Sequence, residues 1–205
     1  MNLTNRKILV MRHAAVQNPT DMVYSNLPGF PLSALGRRQA EEAGRFLSTT
    51  PLAAIFTSGR ERAQETAGIV AKLNIGHPQV IVNDDLRDMD LGEYTNKIPF
   101  DDWKANRGMY WKMQLRGDGV METPSQVQYR VMAAWQKIIS DQSAAGNILI
   151  VSHGGALTIL MTSLRAEELK STGEANCGIG KANVFEVELG RPIRIKKIFE
   201  PVAKI

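Results

Sequence analysis

The tightest constraint on this chain is a series of short, unbroken apolar runs separated by longer helical patterns. Lys7-Ile8-Leu9-Val10-Met11, Ala54-Ile55-Phe56-Thr57 and Asn147-Ile148-Leu149-Ile150-Val151 are such runs, and Val80-Ile81-Val82 is a shorter one. Runs of this length fit strands buried on both faces. Between them lie helical segments at 34–47, 58–73, 125–143 and 155–164. Ser33 reads as the N-cap of the first, and Ser58 with Glu61 three residues on reads as a capping box for the second. Strand–helix alternation predicts an α/β fold: a three-layer αβα sandwich around a mostly parallel sheet. At the C-terminal end, Val184-Phe185-Glu186-Val187-Glu188-Leu189 alternates and Gly190-Arg191-Pro192 turns the chain, so a β-hairpin is expected over 184–199. The segment 97–121 has no strand pattern and holds two of the three tryptophans, so it reads as a helical or irregular cap insertion. The 205 residues fit a single domain, 1–205, carrying that cap.

Composition narrows the class. A single cysteine, Cys177, excludes an intramolecular disulfide and a thiolate metal cluster and fits a reducing compartment. It reads as a small buried or half-buried side chain. A three-histidine metal site would consume all of His13, His77 and His153, so no metal or other cofactor is expected. His77, before Pro78, reads as a surface residue. No apolar run approaches 18 residues and 8–11 is too short for a signal peptide, so a cytoplasmic protein without membrane contact is expected. The net charge of +4 is too small and dispersed to argue for nucleic acid.

Three chemically loaded segments fall at the carboxyl ends of the expected strands, where ligands of such sheets bind. They are Arg12-His13, Ser58 to Arg62, and Ser152-His153-Gly154-Gly155. Taken singly, each has a bland reading: a hydrogen-bonded histidine, a solvated arginine, a tightly packed Gly-Gly. Together they bring two guanidiniums and two imidazoles to one sheet edge. Arginine offers planar bidentate donors to phosphate oxygens, and helix N-termini near Gly59 and Gly154 would add N–H groups and a favourable dipole. A phosphate site follows from these residue types.

Further blocks, in order, resemble the histidine phosphatase superfamily, also called phosphoglycerate mutase-like. Arg12-His13-Ala14 resembles its Arg-His-Gly signature, and Pro31-Leu32-Ser33 through Gln39-Ala40 its next block. Ser58, Arg62-Ala63 and Thr66-Ala67 resemble the second-arginine block. Leu86-Arg87-Asp88 with Gly92-Glu93-Tyr94, Glu122-Thr123 with Arg130, and Ser152-His153-Gly154-Gly155 complete the series. The resemblance covers about 6–190. It implies phosphoryl transfer through a phosphohistidine on His13, with Arg12, Arg62 and His153 holding the phosphoryl oxygens. It implies Asp88 as the proton donor to the leaving oxygen, and Asn18 and Gly154 as further phosphate donors. Three departures stand out: Ala14 for Gly, Val16 for a hydroxyl residue, and Asp88 for Glu.

Three functions use such a site. The first is hydrolysis of a small phosphorylated metabolite. The second is a 2,3-bisphosphoglycerate-dependent phosphoglycerate mutase. The third is a non-catalytic phospho-ligand-binding protein. The cap offers Lys97, Lys104, Arg107, Lys112 and Arg116 but no adjacent arginine pair for a second phosphate, which favours the phosphatase. The edge of the C-terminal hairpin either pairs two copies into a homodimer or is covered within one chain.

Overall fold

The computed structural model describes residues 6–117, 119–141, 146–169 and 179–203. Cys177 lies outside them. The strands are β1 (Ile8–Arg12), β2 (Leu52–Thr57), β3 (Gln79–Val82), β4 (Asn147–Ser152), β5 (Val184–Glu188) and β6 (Arg194–Phe199). The helices are α1 (Ala34–Leu47), α2 (Glu61–Leu73), α3 (Phe100–Ala105), α4 (Arg107–Arg116), α5 (Pro124–Ser140) and α6 (Gly154–Leu164).

One sheet runs in the order β3-β2-β4-β1-β5-β6. Its first four strands are parallel, and β5 and β6 form the expected antiparallel hairpin. The chain leaves β1, builds β2 and β3, and returns to insert β4 beside β1, with Arg12 opposite Ser152. The carboxyl ends of β1, β2 and β4 are therefore neighbours. β5 docks antiparallel on β1, with Met11 opposite Val184. The residues just before β5 thus lie beyond the same carboxyl edge.

Successive strand residues point to opposite faces, and both faces are covered. Leu9, Met11, Ile55, Leu149 and Val151 pack beneath α1 and α2, whose Ala40, Ala43, Ala63 and Ala67 permit close approach. Ile8, Val10, Phe56, Ile148 and Ile150 pack beneath α5 and α6, against Val131, Trp135, Leu157 and Leu160. This is the expected αβα sandwich.

Residues 97–121 fold mainly as α3 and α4. Tyr110 and Trp111 are buried in the core on the α5–α6 side, and Trp103 stacks on Tyr110 at 4.7 Å. The large side chains of the cap thus anchor it to the body. Helices α1 and α5 begin with side-chain caps: Ser33 accepts from the Gly36 N–H, and Thr123 and Gln126 form a reciprocal capping box. The expected box at Ser58 does not form. α2 starts at Glu61 after Arg60, without a side-chain cap, because Ser58 is buried at the end of β2 and its hydroxyl is engaged elsewhere. Beyond β6 the chain returns to α1, with Phe199 stacked on Phe46 at 4.9 Å and the Val202 N–H donated to Glu42. No described helix is long and apolar enough to cross a membrane.

Candidate active site

Arg12 ends β1 and His13 follows it, Ser58 follows β2, and His153 follows β4. The rings of His13 and His153 meet with centroids 5.0 Å apart. His13 is buried, and its Nδ1 lies 2.8 Å from the Ala14 carbonyl. A carbonyl only accepts, so Nδ1 carries the proton and Nε2 keeps its lone pair. The Ala14 N–H donates to Thr66 Oγ1 at 3.1 Å. Ala14 is not among the residues with positive φ, so the methyl that replaces glycine's hydrogen causes no backbone strain.

His153 is fully buried, and its Nε2 lies 2.7 Å from Ser58 Oγ. Ser58 Oγ also accepts from the Arg60 N–H at 3.3 Å. Burial drives the pKa of both histidines well below the ordinary imidazole value. Lys181, Arg62 and Arg12 push in the same direction for each. Both imidazoles are therefore neutral at pH 7.

The two guanidiniums are held by backbone carbonyls. Arg12 Nη1 donates to Ile179 O at 2.8 Å, and Arg62 Nη2 donates to Ser25 O. Arg62 also lies over the Tyr24 ring, 4.8 Å from its centroid. Burial lowers both arginine pKa values, yet a guanidinium stays charged at physiological pH. Arg12 Nε, Arg62 Nε and His153 Nδ1 are buried without a hydrogen-bond partner. Three partnerless polar groups gathered at one strand edge point to an incoming ligand, because most buried polar groups in folded proteins find a partner.

Asp88 reaches the cluster from the turn after β3. Its Oδ2 lies 4.0 Å from His153 Nδ1, and its side chain is partly exposed. The turn is clamped from α5. Arg130 donates to both oxygens of Glu122, at 2.7 and 2.8 Å, and to the carbonyls of Asp85, Arg87 and Asp88. Burial raises the Glu122 pKa, but the hydrogen bonds and charge of Arg130, the Asp90 N–H and Arg87 together outweigh it and leave the carboxylate low.

The Gly-Gly pair has a spatial reason. A Cβ on Gly154 would sit 3.1 Å from Arg12 Cζ, and one on Gly155 would sit 2.9 Å from Asp88 Oδ1. α6 begins here with no side-chain cap, so its first-turn N–H groups and dipole face the same edge. The second expected helix start, near Gly59, falls two residues later at Glu61.

Arg12, His13, Arg62, Asp88, His153 and Gly154 therefore come together. Asn18 does not. Its amide donates to Met22 O at 2.9 Å, closing its own loop through Asp21 at φ 48°. The amide that does reach the cluster is Asn26, which donates to the Asp88 carbonyl at 2.9 Å. His77 is exposed in a turn away from the site. Lys181 escaped the motif reading. Its Nζ lies 3.4 Å from His13 Nε2 and 3.2 Å from Tyr24 Oη. No flanking motif marks it; the antiparallel docking of β5 on β1 was the signal needed.

Several known proteins resemble this chain over most of its length. Two uncharacterized proteins of Mycobacterium tuberculosis strains are 43% identical over 65 residues, 32% of this chain and 32% of each of theirs. The chain thus spans about a third of the length of those relatives. An uncharacterized phosphatase of Bacillus subtilis is 26% identical over 184 residues, covering 87% of this chain and 89% of its own. A mycobacterial glucosyl-3-phosphoglycerate phosphatase shares the fold at a TM-score of 0.77 and 20% identity, over 97% of this chain and all of its own. The family model that describes the histidine phosphatase superfamily (branch 1) matches residues 8–197. With nearly the whole chain matched, from β1 into β6, it belongs to that superfamily.

Proposed function

We propose that this protein is a phosphatase that hydrolyses a small phosphomonoester through a phosphohistidine on His13. The observation that carries this reading is the orientation of His13. Its Nδ1–H is bonded to the Ala14 carbonyl, which leaves the lone pair of the neutral ring on Nε2, beside Lys181 Nζ and in the field of Arg62 and Arg12. In the first step Nε2 forms a bond to phosphorus as the bond to the leaving oxygen breaks. Asp88 in its acid form gives that oxygen a proton. In the second step the Asp88 carboxylate takes a proton from water, whose oxygen displaces Nε2 and releases inorganic phosphate. Arg12, Arg62, the α6 N-terminus at Gly154 and His153 stabilise the charge on the equatorial oxygens. When the Ser58 hydroxyl donates to His153 Nε2, the Nδ1–H of His153 is left to face those oxygens.

We read the chain as one domain, 1–205, with a cap insertion at about 97–121. The mutase reading needs a second phosphate grip in the cap. There Lys97 pairs with Glu93 and Lys104 with Asp101; of the other three cap cations, Arg107, Lys112 and Arg116, it is the field of Arg107 that reaches Arg12. The test is a panel of phosphorylated metabolites scored for both phosphate release and isomerisation. Release from p-nitrophenyl phosphate, abolished in His13→Ala, supports the phosphatase. Isomerisation of 3-phosphoglycerate with little release supports the mutase. Ligand-dependent thermal stabilisation with neither reaction supports a binding protein.

A further inference from the structure

Lys181 sits in the turn before β5, with its ammonium against the lone pair of the proposed nucleophile. Three features show that this turn is built onto the site. The Ala182 N–H donates to Arg12 O at 3.1 Å, tying the turn to the end of β1. Ala182 is fully buried with φ at 56°, a left-handed conformation that alanine adopts only where its surroundings enforce it. Arg12 closes the turn from the other side through its bond to Ile179 O.

The surroundings of Lys181 are those of an anion ligand, not of an ion pair. Arg12 and His13 face it from the end of β1, and Tyr24 faces it from the loop beyond. Arg62 does so from α2, Asp88 from the turn after β3, and His153 from the end of β4. Among the described residues no carboxylate lies within ion-pair distance of Nζ. Its nearest polar partners are the His13 lone pair and the Tyr24 hydroxyl. A cation placed among cations gains a strong partner only from an incoming anion. A phosphorus attacked by His13 Nε2 brings its oxygens to the side from which Nζ already approaches.

We propose that Lys181 is a catalytic residue that binds a non-bridging oxygen of the phosphoryl group on its way to and from His13. It adds a third cationic side chain to Arg12 and Arg62. This inference rests on the phosphatase reading. Burial, Arg12 and Arg62 hold the Lys181 pKa well below the usual lysine value. A bound phosphate dianion reverses that push, so at alkaline pH, where free Lys181 has begun to lose its proton, binding is accompanied by uptake of a proton from solvent. No bond other than this N–H changes at Lys181 during the reaction.

The experiment uses the full chain, with p-nitrophenyl phosphate as substrate and inorganic phosphate as ligand. Lys181→Met is expected to lower kcat/KM and to weaken inorganic phosphate binding, each by about 10- to 100-fold, the loss of one charge-assisted hydrogen bond. Lys181→Arg is expected to recover part of the phosphate affinity. Calorimetry of the wild type in two buffers of different ionisation enthalpy is expected to show proton uptake on phosphate binding at alkaline pH; it needs no variant to fold. Lys181→Met with both constants within twofold of wild type, while His13→Ala is inactive, would overturn the role of Lys181 alone. So would phosphate binding without proton uptake at every pH. A wild type that neither releases nor binds phosphate would overturn the phosphatase reading and this one together.

Discussion

Burial decides what each ionisable side chain of this site can do. An imidazole in water spends much of its time protonated near neutral pH and cannot attack phosphorus in that form. Here burial and the nearby Lys181, Arg62 and Arg12 keep His13 neutral. Asp88 differs in being partly exposed and so open to exchange protons with water. Its side chain is one methylene shorter than the glutamate it resembles, and the Arg130 clamp on its backbone carbonyl fixes where it can reach. Asp88→Asn is expected to lower kcat by about 100- to 10,000-fold on an alkyl phosphate, the usual worth of a general acid–base group. The loss should be smaller on p-nitrophenyl phosphate, whose leaving oxygen needs less protonation. Equal losses on the two substrates would deny Asp88 the role of acid.

Elements place these groups, and small contacts between elements set the tolerance. Gly154 lets α6 close on the Arg12 guanidinium, and Gly155 lets it close on Asp88. Alanine at the two positions should therefore damage different steps. Gly154→Ala is expected to raise KM and the inhibition constant for phosphate. Gly155→Ala is expected to fall mainly on kcat. A displacement near 1 Å costs on the order of 100-fold, and steady-state kinetics separates the two patterns. The turn bearing Asp88 depends on α5. Arg130→Met leaves Glu122 as a poorly solvated carboxylate without its main partner. Unfolding in urea should show a loss of about 3–5 kcal/mol. A loss below 1 kcal/mol would mean that the turn holds itself. At this scale sequence and structure agree where a signal is local. Apolar runs mark β1, β2 and β4, and Ser33 occupies the cap expected of it. The apparent box at Ser58 misleads because a serine near a helix start can serve either the helix or a neighbouring strand. Here the pull of His153 on Ser58 wins.

At the scale of the whole molecule, the fold gathers cations at one sheet edge and the solvent must answer for them. His13 and His153 have lowered pKa values in the folded state, so the unfolded chain binds more protons and stability rises with pH. The loss on acidification begins near the unfolded histidine pKa, about 6.5, and continues down to the folded values. Each histidine adds a slope of up to about 1.4 kcal/mol per pH unit in that window. Urea midpoints between pH 5 and 8 should show this fall, and His153→Asn should flatten it; an unchanged slope would contradict the neutral pair. Phosphate should raise the melting temperature, since it binds only the folded cluster. Topology is also where the sequence fell silent. Periodicity reveals that 184–199 is a hairpin, but not which strand it joins. Its docking on β1 is a long-range packing outcome, and it brings Lys181 to His13. The same holds for Asn18, whose loop closes on itself while Asn26 turns inward.

The most direct test is a rapid-quench reaction of the wild-type protein with ³²P-labelled forms of the phosphomonoesters it hydrolyses. The expected result is an acid-labile, alkali-stable phosphoryl adduct that forms and decays within a turnover, maps to His13 and is absent from His13→Ala. Turnover of those substrates with no adduct on His13 at any time would contradict the covalent mechanism.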